Sequence, residues 1–179
     1  MSKLPVLFIG HGSPMNAIED NAYRRSWQSL GQEFGEGKKW TRPKAILCVS
    51  AHWLTRIPAF TSEHHPRTIH DFGGFPKELF AQQYPASSSA ILAEALAKLN
   101  AVPDGGQWGY DHGAWSVLLP MFPKADIPLT QLSIAMLYTN AQHWALGQSL
   151  APLREQGVLI VASGNVVHNL GMMRPNTNY

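Results

Sequence analysis

The chain has 179 residues, of which 45% are hydrophobic and 15% charged, enough apolar content for one sizeable folded domain and too much for a disordered chain. Its 14 basic and 12 acidic residues leave a formal net charge of +2, scattered along the sequence, which argues against a nucleic-acid or membrane-surface partner. The lone cysteine, Cys48, excludes a disulfide framework within the chain; with no stretch near the ~18 apolar residues of a membrane span and no signal-peptide apolar region at the start, the expected compartment is the cytoplasm.

In chain order, the apolar run Pro5-Val-Leu-Phe-Ile9 stops at Gly10 and reads as a buried strand. Residues Ala22 to Glu33 read as a helix, and Glu36 to Pro43 as a polar connection. Ala45-Ile-Leu-Cys-Val-Ser50 is a second continuous apolar run, of the kind found in parallel sheets. Pro66 to Pro76 is a long loop, because two glycines and prolines interrupt any helix there. Ser88 to Leu99 is a serine-capped helix, Pro103 to Gly106 a turn, and Ser116 to Met121 an apolar helix. Ile127 to Ile134 alternates and reads as a strand, Asn140 to Leu153 as a helix, and Gly157 to Ser163 as a further buried strand. Strands alternating with helices predict a single α/β domain with a mostly parallel central sheet flanked by helices.

The sequence is rich in histidine, with eight, and in tryptophan, with six. Ligands of open parallel sheets bind at the carboxyl ends of the strands. Three expected strands are each followed by a histidine near that end: His11 directly after Gly10, His52 two residues after Ser50, and His168 five residues after Ser163. Imidazole is the commonest metal-ligating side chain near neutral pH. Three such groups can converge on one ion and leave positions open for chemistry. His112, at an expected helix start, can reach the same edge and suits proton transfer, with its neighbour Asp111 expected to hold the ring. The bland alternatives are a capping or turn role for His112 and ordinary hydrogen-bonded roles for the strand-end histidines. His64, His65 and His143 sit in polar surroundings and read as surface residues. Trp53, Trp108 and Trp115 read as core, or as aromatic walls beside a metal.

Five blocks taken together carry a resemblance: Gly10-His-Gly-Ser-Pro-Met-Asn16, Ser50-Ala-His-Trp53, Ile69-His-Asp-Phe-Gly-Gly-Phe-Pro76, Gly109-Tyr-Asp-His-Gly-Ala-Trp115 and Ala162-Ser-Gly-Asn-Val-Val-His-Asn169. In this order they closely resemble the bacterial and plant DOPA extradiol dioxygenases, of the class III, protocatechuate-dioxygenase-like superfamily. The resemblance implies a non-haem Fe(II) site, often loaded with Zn(II), that cleaves a catechol ring with O2. By position, His11 and His52 match metal ligands. His168 matches a third histidine at the metal centre, as a ligand or as an acid/base beside it. His112 matches a histidine placed to handle the catechol proton or the bound oxygen. The resemblance also implies a further metal-site residue from a C-terminal Pro-Glu-His-type segment, which these 179 residues do not contain. The expectation is a single α/β catalytic domain over residues 1–179 lacking the C-terminal part of the family fold, which binds Zn(II) or Fe(II) weakly and has little or no ring-cleaving activity. A tetrapyrrole metal chelatase and an inactive, truncated metal-binding remnant are the competing readings.

Overall fold

The computed structural model describes residues 3–166 and gathers six strands into one sheet: β1 (Val6–Ile9), β2 (Ala45–Thr55), β3 (Ala59–Phe60), β4 (Val102–Pro103), β5 (Leu129–Ala135) and β6 (Val158–Ser163). Their order across the sheet is β1-β6-β2-β5-β3-β4. All neighbours run parallel except β3, which is antiparallel to β5. The helices are α1 (Ala22–Gly31), α2 (Lys77–Phe80), α3 (Ala90–Lys98), α4 (His112–Met121) and α5 (Asn140–Leu150). The expected α/β fold, with its mostly parallel sheet and flanking helices, is what forms.

Side-chain alternation along the strands explains the continuous apolar runs. On β2, Ile46 and Cys48 point into a core with Trp27 of α1 and Trp115, Leu118 and Met121 of α4. Ala45 and Leu47 point the other way, into a core with Leu92 and Leu96 of α3 and Leu150 of α5. A central strand covered on both faces needs apolar residues at every position, not at every second one. On the first face α1 and α4 approach so closely that a Cβ at Gly31 would overlap the backbone of Met121. Local chemistry sets the helix starts: Asn21, Ser89, Asp111 and Thr139 each accept a hydrogen bond from the first turn of α1, α3, α4 and α5 respectively.

Several boundaries differ from the sequence-based expectation. β2 runs on through Thr55, but against β5 its register jumps between the pairs Val49↔Leu132 and Leu54↔Ile134. The apolar run ends at Ser50 because the remainder of β2 is bulged and only partly covered. α4 begins at His112, earlier than expected, because Asp111 caps it. α5 ends at Leu150 and gives way to a 3-10 turn over Ala151–Gln156 that contains Pro152. β3 and β4 have two residues each, too short to leave a periodic signal. Among the described residues, no helix is long and apolar enough to cross a membrane.

Candidate metal centre

β1 ends at Ile9, and the next turn places His11 at the carboxyl edge of the sheet, where it is 2% exposed. Gly12 adopts φ +60°, a left-handed conformation that glycine takes without steric cost, and the chain then enters the 3-10 turn Pro14–Ala17. Asn16 Nδ2 donates to the His11 carbonyl at 3.1 Å. His11 Nδ1 lies 3.0 Å from Ser163 Oγ, at the end of neighbouring β6.

His52 sits within the bulged stretch of β2. Bulges commonly re-aim a side chain beside a functional site, and here the imidazole meets its counterpart: His52 Nε2 and His11 Nε2 are 3.2 Å apart. His112, the first residue of α4, completes the group. Its ring centroid lies 4.0 Å from that of His52 and 5.9 Å from that of His11. Each of the three offers a nitrogen within 4.8 Å of the others. Of the expected site residues, the structure therefore brings His11, His52 and His112 together, while His168 lies outside the described residues. His64 and His65 are exposed, and His143 is half-buried against the Ala135 carbonyl at 3.1 Å.

Two aspartates support the cluster, in different ways. Asp111 was expected to hold the ring of His112; instead it is fully buried beneath the site and turned toward β2 and β5. Its carboxylate accepts from Ser50 Oγ at 2.7 Å, Trp108 Nε1 at 3.2 Å, the α4 amide of Ala114 at 3.2 Å, and Gln131 Nε2. As the residue just before α4, it has its side chain committed to the helix's free N–H groups, which carries it away from the ring that follows. The ring is held by Asp71, from the Pro66–Pro76 loop, 2.8 Å from His112 Nδ1. Burial works against ionisation of Asp71, but the side-chain and backbone hydrogen bonds and the charge of His112 outweigh it and hold the carboxyl below its ordinary value. No local pattern in the sequence marks Asp71 or Ser163 as a partner of these rings. The only trace of the support beneath was polar Gln131 within the alternating run of β5.

α4 reaches the cluster because residue 113 is glycine. A Cβ there would press on Ser50 Oγ and fall 2.8 Å from His52 Cδ2. Gly113→Ala should lower stability by about 1–3 kcal/mol, the usual range for overpacking a tight site, and should weaken metal binding by displacing His52. Thermal melts and metal titration check this; a variant with wild-type melting and affinity would show that the approach of α4 to β2 is not tight.

The surroundings are aromatic. Phe72 stands edge-on to His112 with centroids 5.4 Å apart, and Trp53 stacks on Trp108 at 5.9 Å with the planes only 6° off parallel. The two tryptophans line an open groove of about 580 Å³ that also touches His52, Arg56, Ile57 and Gln107. Trp115, read from sequence as core, is fully buried and donates its indole N–H to the Ile69 carbonyl. Cys48 lies below in the core, and burial, with the nearby charge of Asp111, pushes its thiol far up, so it is no nucleophile.

The donor set fits a divalent ion. Two imidazole nitrogens that share one metal at ~2.0–2.1 Å stand roughly 3.3 Å apart at a near-tetrahedral angle, and the His11 and His52 nitrogens are already 3.2 Å apart. Such nitrogens, each carrying a lone pair, repel unless a proton or a cation lies between them.

Histidines clustered at the carboxyl edge of a parallel α/β sheet define a candidate metalloenzyme class. Residues 5–179 match the family described as the catalytic LigB subunit of aromatic ring-opening dioxygenase, and the chain belongs to that family. It is 52% identical over 173 residues to the 4,5-DOPA dioxygenase extradiol of Escherichia coli, covering 94% of this chain and 62% of that protein. It is 42% identical over 167 residues to the 4,5-DOPA dioxygenase extradiol of Beta vulgaris, covering 90% of this chain and 61% of that one. A crystal structure of an uncharacterized Escherichia coli protein superposes with a TM-score of 0.76 at 44% identity, covering 98% of this chain and 65% of that one. The chain thus spans about three fifths of the length of the curated relatives it matches.

Proposed function

We propose that the protein is a non-haem extradiol dioxygenase that opens the ring of a catechol such as DOPA with O2, in the cytoplasm, using Fe(II) for activity and also accepting Zn(II). The observation that carries this reading is the convergence of His11, His52 and His112 in a chain of the aromatic ring-opening family. Fe(II), when bound, supplies the coordination of catechol and O2 and the electron transfer between them. His11 and His52 hold the ion. His168 is the proposed third member of the centre, as a ligand or as an acid/base. His112, whose Nδ1 faces Asp71, keeps Nε2 for the proton of a catechol hydroxyl. Phe72 and the aromatic groove beside His52 supply apolar surface for a planar ring. The family match does not favour the tetrapyrrole chelatase or the inactive remnant.

The protein, loaded with Fe(II) under anaerobic conditions, should take up O2 on addition of DOPA or a related catechol and release a yellow ring-opened product. No O2 uptake with any catechol, in protein shown to contain iron, would overturn the reading. Within the site, His112→Phe should retain the metal but lose at least ~10²-fold in turnover, the usual size of an acid–base contribution. Full turnover in that variant would remove His112 from proton transfer.

A further inference from the structure

We infer that Asp71 is a positioning residue which orients His52 and His112 through the two oxygens of one carboxylate, so that both rings turn Nε2 toward a common point. This rests on the metal-centre reading above and extends it to a side chain on a different part of the chain.

The geometry is specific. Asp71 Oδ1 lies 2.8 Å from His112 Nδ1 and 2.9 Å from the His112 backbone nitrogen. Asp71 Oδ2 lies 3.5 Å from His52 Nδ1. A carboxylate only accepts hydrogen bonds, so Nδ1 of His112 must carry the hydrogen, and the same tautomer is favoured at His52. In both rings the lone pair then resides on Nε2. For His52 this is the nitrogen that meets His11 Nε2 at 3.2 Å, where a metal would sit. For His112 it is the nitrogen left to accept a proton. One carboxylate therefore prepares a ligand and a base together.

The scaffold holds Asp71 firmly enough for this role. Its loop is pinned to the strand-like segment before α4 by the bond from Ile69 N to the Tyr110 carbonyl at 2.7 Å, and to α4 by the Trp115 indole on the Ile69 carbonyl at 2.9 Å. The Asp71 side chain is 19% exposed, so its hydrogen bond to His112 and its contact with His52 are partly shielded from water. Groups that orient metal-bound imidazoles in this way typically change affinity ~10–100-fold when altered.

Asp71→Asn is the informative variant because it keeps the shape. Its amide can present only one acceptor, and its NH2 would donate to one ring nitrogen that now donates, forcing the hydrogen of that imidazole onto Nε2. Co(II) titration of the whole protein, without catechol or O2, should show a ~10–100-fold weaker dissociation constant for Asp71→Asn and an altered visible Co(II) spectrum, with thermal stability near wild type. Asp71→Glu, which keeps the charge one methylene away, should recover part of the affinity. Nitrogen-15 NMR of the metal-free protein should report the Nδ1–H tautomer at His52 and His112 in the wild type, and its loss in at least one ring of Asp71→Asn. Wild-type affinity and spectrum in Asp71→Asn, or an Nε2–H tautomer at both rings of the wild type, overturns the role of Asp71. A wild-type protein that binds no Co(II) overturns the metal centre itself. Intact metal effects with no ring cleavage on iron overturn only the proposed reaction.

Discussion

Replacing His11 or His52 with alanine is expected to abolish stoichiometric binding of Fe(II) or Zn(II). The two nitrogens are 3.2 Å apart at the carboxyl edge of the sheet, and no backbone movement is needed to bring them onto one ion. Removing either leaves a single imidazole of that pair, so the loss should exceed the ~10–100-fold typical of altering a group that merely supports a ligand. His11→Ala also leaves Ser163 Oγ without the ring it faces. Metal content after dialysis, with His64→Ala as a control at an exposed histidine, is the measurement. Unchanged metal content in both variants would mean that the pair is a hydrogen-bonded structural contact.

Asp111→Ala should have the largest effect on stability. The carboxylate is fully buried and collects four donors: a hydroxyl, an indole N–H, a side-chain amide and the first-turn amide of α4. A buried charge is costly by itself, but these bonds already offset that cost in the native state. Deleting the acceptor leaves Ser50, Trp108 and Gln131 to reorganise in a closed interior, where an unmatched polar group costs about 1–3 kcal/mol. Loss of the helix cap adds about 1 kcal/mol. A total of about 2–4 kcal/mol is a large share of the ~5–15 kcal/mol that holds a domain folded. Urea denaturation should show the midpoint falling accordingly, and a drop below about 1 kcal/mol would show that the network repacks freely.

The four longer strands and the positions of His11 and His52 near their ends were legible because each signal is local. Val6–Ile9 and Val158–Ser163 are apolar runs closed by a glycine, and His11 follows its strand within two residues. His52 joins the cluster from within a bulged strand, where it was expected just past the end of a regular one. Asp71 was hidden because its partner is 41 positions away and the loop that carries it has no periodicity. Asp111 was visible, but adjacency to His112 suggested the wrong task. Consecutive residues at a helix start point in different directions, so the neighbour in sequence is not the neighbour of the ring. The polar residues of β5 were read as alternation, although Gln131 serves a carboxylate rather than solvent.

The contact between His11 and Ser163 joins positions 152 residues apart. It forms only when β1 has docked along β6, the first and last strands among the described residues, so the cluster has no counterpart in a partly collapsed chain. An ion that requires the assembled cluster has almost no affinity for the unfolded ensemble, and by mass action it draws the population toward the native state. At a free concentration one hundred times its dissociation constant, that linkage amounts to about 2.7 kcal/mol. Metal supply and the fraction of folded protein are then two readings of the same equilibrium.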